Sequence, residues 1–170
     1  HHGGDGGMIT EPAEELCMAV LADLLSDLSG LRPGGWEYPR TPGVERTLPP
    51  PGSQMPSDLL PRLFVVPGSG SRLEPAGIGA TSQAYAHTLH VDIHGVVEAD
   101  DDALADTWRW RLRQDVLREL HQHLSLAGTA RVIDFHERAE AVDQGEFAPK
   151  VWFVQPITVA LHPQAYETAA

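Results

Sequence analysis

Cysteine is nearly absent from this chain. Cys17 is the single one in 170 residues, so no intrachain disulfide can form, which fits a reducing compartment. Basic residues are also few: 12 Lys and Arg stand against 24 Asp and Glu, for a formal net charge of −12. Phosphates are repelled by such a surface, which argues against wrapping the outside of a nucleic acid. It leaves room for a channel through which DNA slides without sticking. No run of 18 apolar residues occurs, so no membrane span is expected, and no signal peptide is expected either. No G-x-S-x-G nucleophile elbow appears. The glycine-rich "PGSGSR", residues 67 to 72, lacks the Gly-Lys-Ser/Thr ending of a phosphate loop and reads as a flexible loop. No internal repeat is visible.

What is present reads as one globular domain. Hydrophobic residues make up 42% and charged residues 21%, and 170 residues suffice to bury a core without metal or disulfides. Glycine (16) and proline (14) are somewhat high, so long loops are expected. The first eight residues, "HHGGDGGM", read as the remnant of a purification tag ahead of a start at Met8. The domain is expected over 9–162, with a tail at 163–170.

Residues 10–29, "TEPAEELCMAVLADLLSDLS", read as a helix capped by Thr10, with Pro12 and acidic residues in its first turn and Gly30 as its stop. Leu16, Val20, Leu21, Leu24 and Leu28 form its expected apolar stripe. Residues 30–57 hold 12 prolines and glycines, so a loop is expected there, with a short strand at most near Val44–Leu48. Leu63–Val66 is a compact apolar strand, followed by a second Pro/Gly-rich loop at 67–83.

A long alternating strand covers 84–98, where Gly95 is expected to mark a bulge or bend. A helix over about 101–124 follows, capped by Asp100 or Asp101, with Leu104, Trp108, Leu112, Val116, Leu120 and Leu124 on one drifting face. Strands at 129–137 and 150–162 complete the pattern, with Pro156 marking a bulge or an edge. This order predicts an α+β fold: a mostly antiparallel or mixed sheet with two helices packed on one face.

The stretch "HTLHVDIHG", residues 87–95, carries the strongest hint of chemistry. On a strand, His90, Asp92 and His94 share one face, and Leu89, Val91 and Ile93 the other. Alternate residues lie about 7 Å apart. Two imidazoles at that spacing can reach one zinc, with Asp92 or Glu98 as a third ligand or base and water on an open position. A half-solvated antiparallel strand carries the same pattern by default, and that polar-face reading is the one adopted. No fourth ligand stands at a recognised spacing, so no metal and no cofactor are expected.

Two further clusters read as structural. His121 and His123 lie near a helix C-terminus, where histidine suits the negative end of the dipole. In "TWRWRLRQD", Trp108 falls on the core stripe. Arg109 and Arg113 are placed on the outer face with Asp106 and Asp102 one turn earlier, a solvated or interface face. Trp110 lies off the stripe and is a candidate for burial against a neighbouring subunit.

The order of these segments resembles a known family. A leading amphipathic helix, a proline-rich stretch, "LPRLFVVPG", the run "HTLHVDIHGVVEADDDALADTWRWRLRQDVLREL", then "ARVIDFHE" and "VWFVQPITVAL" are similar to the tail terminator (tail completion, minor tail) proteins of long-tailed bacteriophages. The likeness spans roughly residues 9–162. It implies a small α+β subunit of the virion, assembled in the host cytoplasm as a homo-hexameric ring on the head-proximal end of the tail tube. Such a ring contacts tail tube protein on one side and a neck or head-completion protein on the other. DNA passes through its lumen without specific binding. No catalytic residue belongs to such a family; Trp110, Arg109, Arg113, His90 and His94 stand as candidate interface residues. Another head–tail joining protein is the related alternative, and a metal-dependent enzyme using His90 and His94 the distant one.

Overall fold

The computed structural model describes residues 12–28, 38, 40–50, 59–69, 72–75, 84–99, 101–128, 130–137 and 150–165. The expected tag remnant, Thr10, Gly30 and residues 166–170 lie outside them.

Helix α1 spans Ala13–Leu25, entered through Pro12, with Glu14 and Glu15 at the positive end of its dipole. Ser26 closes it: its N–H donates to the carbonyls of Ala22 and Asp23, and its Oγ donates to Asp23 O at 2.7 Å. The residues buried deepest are Cys17, Met18, Leu21, Leu25 and Leu28; Val20 and Leu24 flank them, and Leu16 is half-buried. The buried arc is therefore wider than the expected stripe and rotated from it. The reason is that α1 meets three strands of the sheet and the second helix at once.

Strands β1 (Gly43–Glu45), β2 (Arg62–Pro67), β3 (Arg72–Pro75), β4 (Ala84–Glu98), β5 (Ala130–Phe135) and β6 (Lys150–Ala165) form one mixed sheet in the order β1-β2-β4-β6-β5. Only the β1–β2 pair is parallel; the others are antiparallel. Strand β3 pairs with β4 beyond β2 and corrects the expected loop at 67–83. Pro67 faces Val91 and Arg72 faces Thr88, so β2 and β3 are successive parts of one interrupted strand along β4. Gly68 N–H still donates to His90 O at 2.7 Å inside the break. Strand β1 lies within the expected loop at 30–57 and is shorter than the strand expected there.

Helix α2 runs Asp102–Gln122, capped by Asp101, whose carboxylate accepts from Ala103 N–H at 2.9 Å. Ala105, Leu112, Val116 and Leu120 are buried on its inner face, while Leu104 is 42% exposed. The expected stripe stepped strictly by four residues. Each such step overshoots a full turn by about 40°, so its first member falls off the core face.

Both helices cover the face that carries Leu63, Val65, Leu89, Val91, Ile93, Phe153, Ile157 and Val159, the main core. Each fully buried side chain of this size stabilises the fold by about 2 kcal/mol. The opposite face carries a smaller cluster of Leu60, Phe64, Val66 and Val96, with Trp152 packed on it.

Two expectations about β4 and β6 change. Register runs unbroken through Gly95, opposite Phe153; the irregularity lies at Tyr85/His87. A Cβ at Gly95 would overlap the Phe153 ring, so the glycine makes room for that ring rather than bending the strand. Of the two readings of Pro156, the edge is found, because β5 pairs only as far as Ile157. The bulge is not, because Pro156 pairs in register with Asp92. Its carbonyl accepts from His136 N–H at 3.0 Å, so its ring nitrogen points to the same side, where β5 has just ended. A missing N–H is harmless there.

At the other margin, β5 is blunted as an edge. Its bulge lies between Val132 and Asp134, and Val132 N–H is taken by Leu124 O at 2.8 Å.

Candidate functional site

The alternation read from "HTLHVDIHG" holds. His90, Asp92 and His94 share the face of β4 turned away from the helices, and all three are half-buried. Their cross-strand partners are Thr158, Pro156 and Val154 on β6. On the other side of β4, Asp92 faces Val66 and His94 faces Phe64.

Each imidazole is tied to a neighbour. Trp152 Nε1–H donates to His94 Nδ1 at 3.0 Å, which makes that nitrogen an acceptor and fixes the tautomer of the neutral ring. The two rings meet edge to face at 5.8 Å, and Trp152 also stacks parallel to Phe64 at 6.2 Å. His94 is thus held in an aromatic corner.

His90 belongs to a second group. The Thr158 hydroxyl lies 3.1 Å from His90 Nδ1 and 2.6 Å from His136 Nε2. One hydroxyl has one proton and two lone pairs. With both rings neutral, Thr158 Oγ1 accepts from both imidazoles, or accepts from one and donates to the other, according to their tautomers. His136 comes from the end of β5, and its Nε2 is 3.9 Å from an oxygen of Asp134. Among the described residues, no three His, Cys, Asp or Glu side chains form a group that could hold a metal ion.

The arginines expected on the outer face of α2 turn toward the sheet. Arg113 Nε–H donates to Gln155 Oε1 at 3.1 Å, and Gln155 is buried. The Gln155 amide in turn donates to His136 O at 2.8 Å and Pro156 O at 3.0 Å. Arg109 keeps the expected pair with Asp106 at 2.6 Å, reaches Trp152 O at 3.4 Å and lies over the Trp110 ring at 4.6 Å. Both guanidinium groups therefore serve the seam between α2 and the open end of β6. Their helical angle places them at the margin of the buried arc, not opposite it. Trp110 is 46% exposed, the outward position expected of it.

The histidines at the end of α2 behave as helix-terminal groups. His121 Nδ1–H donates to Leu117 O at 2.7 Å and its ring stacks on Phe135 at 4.3 Å. His123 Nδ1 lies 3.2 Å from Glu119 O.

Sequence reasoning missed four participants. Thr158, His136 and Trp152 join the histidine row only because β6 lies between β4 and β5, and no local signal announces that order. Asp115 was the fourth. It is fully buried, accepts from the Tyr38 hydroxyl, and pairs with Arg118 at 2.9 Å. Its signal was present, since it falls among apolar positions of the inner face of α2.

No family model matches this chain, and no curated protein matches it.

Proposed function

We propose that this chain is a structural virion protein: a tail terminator that caps the head-proximal end of a phage tail tube as a ring of identical subunits. The single observation that carries the reading is the state of the histidine row. His94 is held by Trp152, and His90 shares the Thr158 hydroxyl with His136. These side chains knit three strands together into a wall, which suits a subunit that works by fitting against neighbours rather than by transforming a substrate. The two-layer α+β architecture agrees with the fold that the family resemblance implies.

In this reading the ring stops tube polymerisation and presents a surface to the neck or head-completion protein. The net charge of −12 discourages DNA from adhering to the lumen. Trp110, exposed on α2, is offered to the adjacent subunit. No helix among the described residues is long and apolar enough to cross a membrane, which is compatible with a place in the virion.

The deciding experiment is electron microscopy of particles made without this protein. Tails of uncontrolled length, or tails unable to join heads, are expected. Native mass spectrometry with tail tube protein present is expected to show a closed ring. A subunit that stays single under those conditions, with normal tails in its absence, would overturn the proposal.

A further inference from the structure

Helix α2 ends before its own sequence calls for an end. Leu124, Leu126 and Ala127 favour helix, and Gly128 is the residue type preferred in the left-handed position just past a helix. Local chemistry therefore carries the helix to Ala127. In the structure α2 stops at Gln122, and the left-handed conformation starts early: φ is 43° at Leu126, 54° at Ala127 and 80° at Gly128. Of these three, glycine alone adopts it without a steric penalty. A backbone held in such a region persists only where surrounding structure enforces it.

Tertiary contacts do enforce it. Leu126 is fully buried in the main core, where the turn Leu126–Gly128 meets α1 and β5. Leu126 N–H donates to His123 O at 3.0 Å, and Gly128 N–H donates to Ser125 O at 2.8 Å. The bent-back chain also brings Leu124 O within 2.8 Å of Val132 N–H, on the outermost strand of the sheet. Ile133, the next residue, is 54% exposed. An uncovered edge at this place is both unpaired and apolar, the combination that invites another strand.

We propose that residues 124–128 are a strained strap over the edge of β5, in exchange with an open state in which α2 continues to Ala127. The inference is independent of the assembly proposal. In the closed state Leu124 O covers Val132 N–H, and burial of Leu126 offsets the strain at Leu126 and Ala127. In the open state residues 124–127 take up helical hydrogen bonds, and Leu124 O turns from Val132 to Gly128 N–H. Loss of the Leu126 burial keeps that state minor. The hinge is His123, whose backbone leaves the helical region with φ −132° and ψ 45°. His121 lies before the hinge, so its stack on Phe135 is kept in both states. The strap thus sets when the sheet edge can accept a strand.

The test is amide hydrogen exchange of the full chain, read at Val132 and at Val91 in the middle of β4, with carbon chemical shifts at residues 124–126. Val132 is expected to exchange faster than Val91, through local opening of the strap. Ala127 is exposed, so its substitution leaves the core intact. Ala127→Gly relieves the closed state and weakens the open helix. Val132 exchange is expected to slow by about tenfold, and Val91 exchange by less. Ala127→Val puts a β-branched residue at positive φ and favours the open state, so the carbon shifts at 124–126 are expected to move toward helical values. Val132 exchanging no faster than Val91 overturns the proposal. So does an Ala127→Gly chain in which Val132 is unchanged, or in which both amides slow equally. Shifts moving to coil values in Ala127→Val also sink it. If Ala127→Val does not fold, Ala127→Gly decides alone.

Discussion

The ring of Phe153 lies over Gly95, its register partner across β4 and β6. Phe153 is among the largest fully buried side chains, and it has that space only because residue 95 has no Cβ. Gly95→Ala is expected to destabilise the fold by about 3 kcal/mol, the upper range for overpacking a core. Phe153→Leu in the same chain should recover part of the loss, because a smaller branched side chain can shift away from the new methyl. Urea denaturation of both single variants and the double variant checks this. Additive losses would mean that the two residues do not compete for space.

The Thr158 hydroxyl holds two imidazoles at once. Thr158→Val keeps the shape and leaves one nitrogen of His90 and one of His136 without this partner. A loss of about 2 kcal/mol is expected at neutral pH. Nitrogen NMR of the two rings should show changed tautomer populations, which a purely steric effect would not produce.

Tyr38 reaches Asp115 from the proline- and glycine-rich stretch between α1 and β1. Because Asp115 is fully buried, its carboxylate depends on Tyr38 and Arg118. Tyr38→Phe removes one charge-assisted hydrogen bond and is expected to cost about 2 kcal/mol. Tyr38→Phe combined with Asp115→Asn should cost less than the sum of the two, since they break one shared interaction. Chemical denaturation of the four proteins measures the coupling.

Cys17 is fully buried in the core and its thiol is pushed up from 9.0 to about 11 by desolvation. The thiolate is the reactive form, so two pH units of displacement leave about a hundredfold fewer thiolates at pH values below either figure. Slow labelling by a thiol reagent is expected in the folded protein, with a burst on adding denaturant. Fast labelling of the native chain would show α1 detached from the sheet.

Strand β6 runs three residues past its expected end at 162, into the expected tail, because Gln164 and Ala165 pair with Tyr85 and Ala84. The limits of α2 and β4 could be read to within two residues, because each depends on local signals. Asp101 precedes an apolar helical period, and β4 alternates over its whole length. Strand β3 could not be read, because its four residues are ordered by pairing with β4 and not by any apolar pattern of their own. Arg113 misled for a similar reason: it was placed on the outer face, but a buried amide on β6 draws it toward the sheet.

By itself, the sequence determined the fold class and the two faces of β4, since these follow from periodicity within a few neighbouring residues. The tertiary structure alone decided that β6 runs between β4 and β5, and with it the union of His90, Thr158 and His136 from strands far apart along the chain. It also decided that Gly95 is a seat for an aromatic ring. Those outcomes depend on which surfaces meet across the core, and backbone pairing between distant segments sets that choice.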